Sequence, residues 1–324
     1  MLYRPFGSTG LTLSALGFGC GSIGGLMVRG AYPDMRKTVA RAIELGVTYF
    51  DTASMYGVGQ SEVNLGAVLR ELGQETNADI IVGTKVRLKT DEMTHIERAI
   101  TTSVEASLRR LGRESVDLIQ YHNRIGPNRT AADPEANLDD LAQIVQTFEK
   151  LKKAGKVRFW GITALGETDA LHAAVDQGGF HSIQSAFNLL NPSAARPVAA
   201  DFPYQNYDGL INRAAARGMG VIAIRVLAGG ALSGASERHP VAAPSVNPIA
   251  SAPTYETDVQ QARAFQFLID EGVVENLVEA AIRFVISHEA VSTALVGTSN
   301  LEQLELAATY AGRGPLPEEV LGRL

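Results

Sequence analysis

Short apolar segments that favour β-structure alternate along the chain with longer segments of helical periodicity. The strand segments cover residues 16–19, 47–50, 80–85, 116–121, 157–162, 182–186, 221–226 and 293–296. The helical segments follow them at residues 36–45, 62–72, 96–111, 138–154, 168–177, 209–217, 273–288 and 301–311. Strands that alternate with helices in this way form parallel sheets. The pattern therefore predicts an α/β protein with a closed (β/α)8 barrel of the TIM type, and an open doubly wound sheet is the alternative.

Turn signals add detail to this interpretation. Glycines follow four of the predicted helices, where glycine commonly ends a helix, at positions 46, 112, 155 and 218. Residues 2–14 contain the sequence GSTG at residues 7–10, which predicts an N-terminal β-hairpin that closes one end of the barrel. Two connections, residues 123–137 and 233–258, are long, and we expect them to cover a substrate and a cofactor at the C-terminal face of the strands.

Length and composition fit one globular domain over residues 1–324. Hydrophobic residues make up 45% of the chain and charged residues 20%, so the chain can bury a large core and is not expected to be disordered. The formal net charge of -6 provides no basic surface, and the longest apolar runs are too short to span a bilayer. We therefore expect no nucleic-acid partner and no membrane partner.

The cysteines and histidines bear on location and metal binding. Cys20 is the only cysteine, so the chain has no internal disulfide, and the residues after Met1 do not form an apolar signal sequence. These features favour a cytoplasmic protein. The six histidines contain no pair spaced four residues apart, so no metal site is expected.

A possible catalytic group lies at the ends of three successive strands. Residues 50–57, with the sequence FDTASMYG, place Asp51 and Tyr56 at the end of one predicted strand, Lys85 ends the next, and His122 follows the third. Taken alone, each residue has an ordinary explanation, such as a turn cap or an amphipathic surface ring. Because active sites of barrels lie at the carboxyl ends of the strands, their joint placement predicts a catalytic site.

The charges of these residues suggest their roles. Asp51 is expected to pair with Lys85, whose ammonium would face the Tyr56 oxygen. An ammonium stabilises a phenolate, so we expect the pKa of Tyr56 to lie below its usual value of about 10, near neutrality. His122 would hold and polarise a substrate carbonyl. Because no side chain donates a hydride, a cofactor must supply it.

These residues resemble the motifs of the aldo-keto reductase superfamily, and the resemblance extends from YRPFG at residues 3–7 to GTS at residues 297–299. It implies a barrel that binds a nicotinamide dinucleotide across its mouth without the glycine fingerprint of open sheets. By the same resemblance, Thr163 and Gln184 hold the carboxamide, and Gln303 contacts the adenosine ribose.

The resemblance also implies where the remainder of the cofactor lies. Gly297, Thr298 and Ser299 precede the last long helix, whose amino terminus offers free N–H groups to a phosphate. Further positions that the resemblance places beside the cofactor are Gly21, Asp51, Arg225, Leu227, Gly229 and Leu232.

The sequence departs from the common family pattern at several positions. Ala164 stands where an asparagine often makes a second carboxamide contact, and residues 223–227, AIRVL, replace a tyrosine, serine and proline. Arg225 needs a partner, which is an anion of the cofactor or substrate, or a neighbouring carboxylate. Ser299 stands where a basic residue often binds the 2'-phosphate, so charge does not decide the cofactor. The resemblance favours NADP, with NAD as the alternative.

Two functions are consistent with these features. The first is an NADP(H)-dependent aldo-keto reductase, or alcohol or sugar dehydrogenase, that transfers a hydride between the cofactor and a small carbonyl or alcohol substrate with Tyr56 as general acid and base. The second is a cofactor-binding sensor or accessory subunit, similar to potassium-channel β subunits, whose turnover is incidental. Arg124 and Arg129, close after His122, are either solvated or receive an anionic substrate.

Overall fold

The computed structural model describes residues 1–75, 79–127 and 134–324. Eight parallel strands form a closed barrel, and their bounds are β3 (Leu16–Gly19), β4 (Tyr49–Asp51), β5 (Ile81–Val86), β6 (Val116–Tyr121), β7 (Val157–Thr163), β8 (Ser182–Ala186), β9 (Gly220–Ile224) and β10 (Thr293–Gly297). Neighbouring strands in the chain are neighbours in the barrel, and β10 closes on β3. This arrangement confirms the predicted (β/α)8 barrel and excludes the open doubly wound sheet.

A two-stranded antiparallel hairpin precedes the barrel, with β1 at Tyr3–Pro5 and β2 at Thr12–Ser14. Its turn contains Gly7, whose φ is +54° and whose α-carbon lies against the start of β9, since a Cβ there would be 2.3 Å from the carbonyl oxygen of Gly218. Phe6 and Leu13 are buried in one apolar cluster with residues of the barrel interior. The hairpin therefore closes the N-terminal end of the barrel, as predicted.

The helices pack around the barrel strands and follow the predicted segments closely. The principal helices are α2 (Tyr32–Glu44), α3 (Gln60–Leu72), α4 (Ile96–Leu111), α5 (Leu138–Lys153), α6 (Thr168–Gln177), α7 (Leu210–Ala216), α10 (Leu277–Ile286) and α11 (Leu301–Gly312). Four further helices are α1 (Leu26–Arg29), α8 (Tyr255–Ala262), α9 (Phe267–Asp270) and α12 (Glu318–Leu321). Short 3-10 helices lie at Glu92–Thr94, Ala228–Ser233 and Arg263–Phe265.

Helix α4 shows how the sequence pattern produces this packing. Ile96, Ile100, Val104 and Leu108 recur every four residues and are all buried, because residues four apart share one face of a helix. Burying each such side chain contributes about 1.5–3 kcal/mol relative to leaving it exposed. The helix ends at Leu111 and is capped by Gly112, which has a φ of +62°, a conformation that costs glycine little.

The structure differs from the predicted elements at the end of the seventh barrel strand and in the connection after it. Strand β9 ends at Ile224, whereas the predicted strand extended to residue 226. Arg225 follows with a left-handed φ of +57°, which turns the chain out of the sheet. The predicted loop over residues 233–258 contains the start of helix α8, which begins where the Thr254 side chain accepts a hydrogen bond from the Thr257 amide.

The two long connections both leave the C-terminal end of the barrel. In residues 233–258, Arg238 donates hydrogen bonds to the carbonyl oxygens of Gly229, Ala243 and Ile23, and so links this connection to the ends of β9 and β3. In residues 123–137, Arg124 pairs with Glu135 at 3.1 Å. Arg129 lies outside the described residues.

None of the helices in the described part of the chain is long and apolar enough to cross a membrane.

Candidate active site

The parallel register places the predicted catalytic residues next to one another. Asp51, the last residue of β4, lies opposite Gly83 of β5, and Lys85 of β5 lies opposite Gln120 of β6. His122 comes directly after β6. The carboxyl ends of these three neighbouring strands therefore carry the carboxylate, the ammonium and the imidazole side by side.

Asp51 and Lys85 form a buried ion pair. Their side chains are 1% and 2% exposed, and the Lys85 ammonium donates to Asp51 Oδ1 and, at 2.8 Å, to the carbonyl oxygen of Thr52. Burial opposes the charge on Lys85, but Asp51 and Tyr56 outweigh it and raise the pKa of the lysine. Lys85 is therefore held as an ammonium across the neutral pH range, as the sequence predicted.

The second oxygen of Asp51 is held by two further donors. The Tyr49 hydroxyl and the Gln184 side-chain amide each donate to Asp51 Oδ2 at 2.7 Å. Tyr49 and Asp51 are two residues apart on one strand and so point to the same face, the barrel interior. Gly83 leaves room for the phenol, because a Cβ there would lie 2.5 Å from the Tyr49 oxygen. The carboxylate is thus fixed on both sides.

Sequence reasoning did not identify Tyr49 as part of this site. The signal that points to it is its period-two spacing from Asp51, together with Gly83, which faces Asp51 on the next strand and leaves room for the phenol. Both features are visible in the sequence once the register of β4 and β5 is known.

Tyr56 lies beside this ion pair. Lys85 Nζ is 5.0 Å from the centroid of the Tyr56 ring, and the imidazole of His122 meets the ring edge to face, with centroids 6.4 Å apart and planes at 89°. On another side, a Cβ at Gly21 would be only 3.6 Å from the ring. The four predicted catalytic side chains therefore form one group.

The expected pKa of Tyr56 was wrong in sign. Burial raises the pKa of Tyr56 above its usual value, and Asp51 raises it further, whereas Lys85 and Arg225 lower it by less. The predicted effect of Lys85 is present, but desolvation of the phenolate is larger. Tyr56 is consequently a protonated phenol at neutral pH, and its hydroxyl carries a proton that it can donate.

His122 is a neutral imidazole over the whole physiological range. Burial, together with the positive charges of Lys85 and Arg87, lowers the pKa of His122 to about 3. Its Nδ1 is buried and has no hydrogen-bond partner among the described residues. A neutral ring beside an ammonium can donate or accept a hydrogen bond without adding a charge.

A cavity of about 550 Å³ opens beside Tyr56 and extends along the ends of β9, β10 and β3. Most of the residues that the sequence assigned to a cofactor lie in its wall: Gly21, Asp51, Gln184, Arg225, Leu227, Gly229, Gly297, Thr298, Ser299 and Gln303. Thr163 and Leu232 are buried, and Thr163 contacts Gln184 Oε1 at 3.5 Å. The size is typical of a cavity for a small ligand or cofactor.

The chemistry of the wall fits a dinucleotide. Thr298 Oγ1 is buried in the wall without a hydrogen-bond partner in the described part of the chain, as an atom that awaits a ligand would be. Facing it, Gly24 leaves no room for a side chain, since a Cβ would lie 2.7 Å from the Thr298 backbone. The segments that follow β3 and β10 therefore pack main chain against main chain at this point.

Some of the backbone N–H groups at the start of helix α11 already donate hydrogen bonds to side chains of the same segment. The Ser299 amide donates to Gln303 Oε1 at 2.8 Å, and the Gln303 amide donates to Asn300 Oδ1 at 2.9 Å. Ser299 is 5% exposed, and its hydroxyl donates to the carbonyl oxygen of Gly24 at 2.7 Å. Gln303 itself is exposed and lines the cavity, so its side chain is the more accessible of the two.

Across residues 1–75, 79–127 and 134–324, no three His, Cys, Asp or Glu side chains come together in a way that could hold a metal ion.

Comparison with known proteins agrees with this geometry. Residues 15–324 match the model of the Aldo/keto reductase family. The chain is 29% identical over 307 residues to L-galactose dehydrogenase of Arabidopsis thaliana, an alignment that covers 93% of this chain and 85% of the relative. It is 26% identical over 319 residues to a putative voltage-gated potassium channel subunit beta of Schizosaccharomyces pombe, with 93% and 86% covered.

A solved aldo-keto reductase structure is similar to this chain over the whole barrel. The holo form of an aldo-keto reductase from Bacillus halodurans is similar with a TM-score of 0.69 and 25% sequence identity, and the match covers 98% of this chain and 93% of that one. The family model, the relatives and the three-dimensional match all extend over nearly the full length of the chain. The chain therefore belongs to the aldo/keto reductase family.

Proposed function

We propose that this protein is an NAD(P)-dependent oxidoreductase that transfers a hydride between a nicotinamide cofactor and an aldehyde, ketone, sugar or corresponding alcohol. The observation that carries the proposal is the position of Tyr56, which lies in the wall of the cavity beside the buried pair of Asp51 and Lys85. Membership of the family, with a sugar dehydrogenase among the relatives, supports the same reaction class.

In the direction of reduction, Tyr56 is the general acid. Its phenol is protonated at neutral pH and donates its proton to the carbonyl oxygen as negative charge develops there. The Lys85 ammonium then stabilises the phenolate that remains, and Asp51 keeps that ammonium in place. In the direction of oxidation, the same phenolate accepts the proton of the alcohol.

His122 positions the substrate. Its neutral imidazole donates a hydrogen bond to the carbonyl oxygen and so orients it toward the Tyr56 hydroxyl. A charged imidazole would repel Lys85, which is one reason why the pKa of His122 is low. A nicotinamide cofactor in the adjacent cavity would supply the hydride, and we propose that Thr163 and Gln184 hold its carboxamide while residues 297–303 hold its adenosine end.

The pH dependence of reduction tests these assignments. Because His122 takes up a proton only near pH 3 and the pKa of Tyr56 is raised, neither group changes its charge between about pH 5 and 8. The rate of reduction, which needs protonated Tyr56, should be constant over this range and fall only as the pH rises through the pKa of Tyr56. The rate of oxidation, which needs the phenolate, should rise over the same alkaline range.

These profiles are measured as kcat in both directions at constant ionic strength. A decrease in the rate of reduction with an apparent pKa near 6.5 would contradict the neutral state of His122. A decrease in the rate of oxidation as the pH rises would contradict the role of Tyr56 as the base.

Cofactor choice depends on charge near the start of helix α11. No charged side chain in residues 297–301 is available to a 2'-phosphate, so we expect the wild-type protein to prefer NADP over NAD by roughly tenfold or less. Gln303 is exposed at the cavity edge, whereas the Ser299 hydroxyl is buried and engaged. Gln303→Arg should therefore tighten NADP by about tenfold and leave the Kd of NAD almost unchanged.

Gln303→Met is the matched control, because both variants lose the side-chain hydrogen bond to the Ser299 amide and differ in charge. The Kd values of both cofactors are measured by quenching of protein fluorescence. If the Kd values of NADP and NAD decrease equally in Gln303→Arg, the 2'-phosphate does not lie at the start of helix α11.

The reaction class itself is tested with a panel of aldehydes, ketones, sugars and alcohols, each assayed with both cofactors in both directions. We expect turnover with at least one group of substrates. The alternative, a cofactor-binding accessory subunit, is favoured by the similarity to the channel subunit beta. It predicts tight cofactor binding with negligible turnover over the whole panel, together with a stable membrane-protein partner.

A further inference from the structure

Arg225 presents a charge that the proposed reaction does not use. It follows β9 directly, and its backbone is fixed in the left-handed region by the hydrogen bond that Asn188 Nδ2 donates to its carbonyl oxygen at 2.9 Å. Its side chain lines the same cavity as Tyr56, and its Nη1 is buried without a hydrogen-bond partner among the described residues. A buried guanidinium donor without a partner costs free energy, so a ligand that supplies an acceptor would stabilise this arrangement.

The neighbouring carboxylates are already engaged. Asp258 attracts Arg225 electrostatically, but its Oδ2 accepts from the Ser251 hydroxyl at 2.7 Å and its Oδ1 accepts from the Ala252 amide at 2.9 Å. Asp51 is held by Lys85, Tyr49 and Gln184. The inner part of the cavity therefore retains a positive charge for which the described protein atoms supply no direct acceptor.

The surroundings of Arg225 place this charge on the catalytic side of the cavity. Its backbone is bound by Asn188, which follows β8, and the buried Tyr207 feels the positive charges of both Arg225 and Arg124. Arg124 lies two residues after His122. The Arg225 Nη1 lies beside Gly229, 3.2 Å from where a Cβ would stand, and Tyr56 is the group whose charge acts on it most, whereas the proposed site for the adenosine end follows β10.

We infer that Arg225 binds a carboxylate or phosphate group of the substrate, carried close to the reacting carbonyl or alcohol. This inference rests on the proposed function and narrows it to anionic substrates such as oxo acids, hydroxy acids, sugar acids or sugar phosphates. The planar guanidinium can bind an oxyanion through two parallel hydrogen bonds, which fixes the distance of the anion from the reacting carbon as well as its charge. A neutral substrate leaves Arg225 unpaired and gains none of this stabilisation.

The electrostatic effects on Tyr56 agree with this placement. Arg225 is among the groups that lower the pKa of Tyr56, and Tyr56 in turn raises the pKa of Arg225, so the two side chains are close enough to interact. An anion bound at Arg225 therefore lies near the proton donor, within reach of a short substrate.

The test compares pairs of substrates that share one aldehyde group and differ in the anion: 4-oxobutanoate with butanal, and glyceraldehyde 3-phosphate with glyceraldehyde. In the wild-type protein, we expect kcat/KM to be higher for the anionic member of at least one pair. In Arg225→Met, kcat/KM for that anionic substrate should fall by roughly ten- to a hundredfold relative to kcat/KM for its neutral partner. Arg225→Lys keeps the charge but loses the planar guanidinium with its two parallel donors. It should restore part of the preference for the anionic substrate.

Arg158→Met is the control for loss of one positive charge, because Arg158 lies at the N-terminal end of β7, where it pairs with Asp117. This variant should leave all four substrates unaffected. Thermal unfolding of each variant checks that the fold is retained. If Arg225→Met does not fold, competition in the wild-type protein replaces it: succinate and inorganic phosphate should inhibit butanal reduction competitively with butanal, more strongly than chloride at equal ionic strength.

Three results separate the possible outcomes. An unchanged ratio of anionic to neutral kcat/KM in Arg225→Met overturns the inference. A cofactor Kd that weakens more than about tenfold, with that ratio unchanged, assigns the charge to the cofactor diphosphate instead and also overturns it. If the wild-type protein turns over none of the substrates, the proposed function fails separately. Calorimetric titration of the cofactor-loaded protein with 4-oxobutanoate and butanal then still decides whether Arg225 binds the anion.

Discussion

Replacing Tyr56 with phenylalanine is expected to lower kcat by at least about 10²-fold, the usual effect of losing a general acid. The ring keeps its contacts with His122 and Gly21, so the cavity retains its shape and only the hydroxyl is lost. Without the phenol, no described side chain at this position can donate a proton to the carbonyl oxygen, since His122 carries no extra proton near neutrality. Single-turnover rates of reduction, measured together with the Kd of the cofactor, test this expectation.

The cofactor Kd should be the same in the Tyr56→Phe variant as in the wild-type protein. Tyr3→Phe is a matched control, because Tyr3 lies in the hairpin at the opposite end of the barrel, where its hydroxyl donates to the carbonyl oxygen of Gly46. That variant should keep full turnover. Nearly normal turnover in Tyr56→Phe would exclude Tyr56 as the proton donor, whichever substrate is used.

The fold was predictable because its signal is repeated along the chain. Each strand of the barrel is an apolar segment followed by a helical one, and an error at one boundary does not change the alternation. The strand ends that bear Asp51, Lys85 and His122 were also predictable, since active sites lie at the carboxyl ends of barrel strands. The sequence therefore predicted which groups meet.

The sequence did not predict the pKa of Tyr56 or all the hydrogen-bond partners of Asp51. The pKa of Tyr56 depends on the balance between desolvation and two opposite charges, and the depth of burial is a property of the folded cavity. Tyr49 could be recognised as a partner of Asp51 only from the register between β4 and β5. Similarly, the sequence placed Arg225 beside the cofactor but within a strand, whereas strand β9 ends at Ile224 and the left-handed backbone of Arg225 takes the chain out of the sheet.

Replacing Lys85 with methionine is expected to reduce both the stability and the activity of the protein. Met fills a similar volume, so the main change is that the buried carboxylate of Asp51 loses its counter-ion. Breaking a buried ion pair in this way costs about 3–5 kcal/mol. Tyr49 and Gln184 continue to donate to Asp51 Oδ2, so we expect a loss at the lower end of this range. The free energy of unfolding, measured with urea, should fall by about 3 kcal/mol.

A double variant separates the lost charge from the lost packing. Adding Asp51→Asn to Lys85→Met removes the unpaired charge, so the double variant should be more stable than Lys85→Met alone. Lys150→Met is the control, because Lys150 pairs with Glu97 on the surface, where both side chains are about 60% exposed. Its effect should stay below about 1 kcal/mol. If the double variant is the least stable of the three, the loss in Lys85→Met does not come from an uncompensated carboxylate.

Lys85→Met should also affect the rates of reduction and oxidation differently. Lys85 lowers the pKa of Tyr56 more than Arg225 does, and Asp51 raises it, so removal of the Lys85 ammonium moves this pKa further up. A higher pKa leaves Tyr56 fully protonated for reduction, whereas the phenolate needed for oxidation becomes tenfold rarer at a given pH for each unit of the shift. Lys85→Met should therefore lose more activity in oxidation than in reduction, and its alkaline rise in oxidation should move to higher pH. If activity falls equally in oxidation and reduction and the pH profile does not shift, Lys85 stabilises the structure but does not change the pKa of Tyr56.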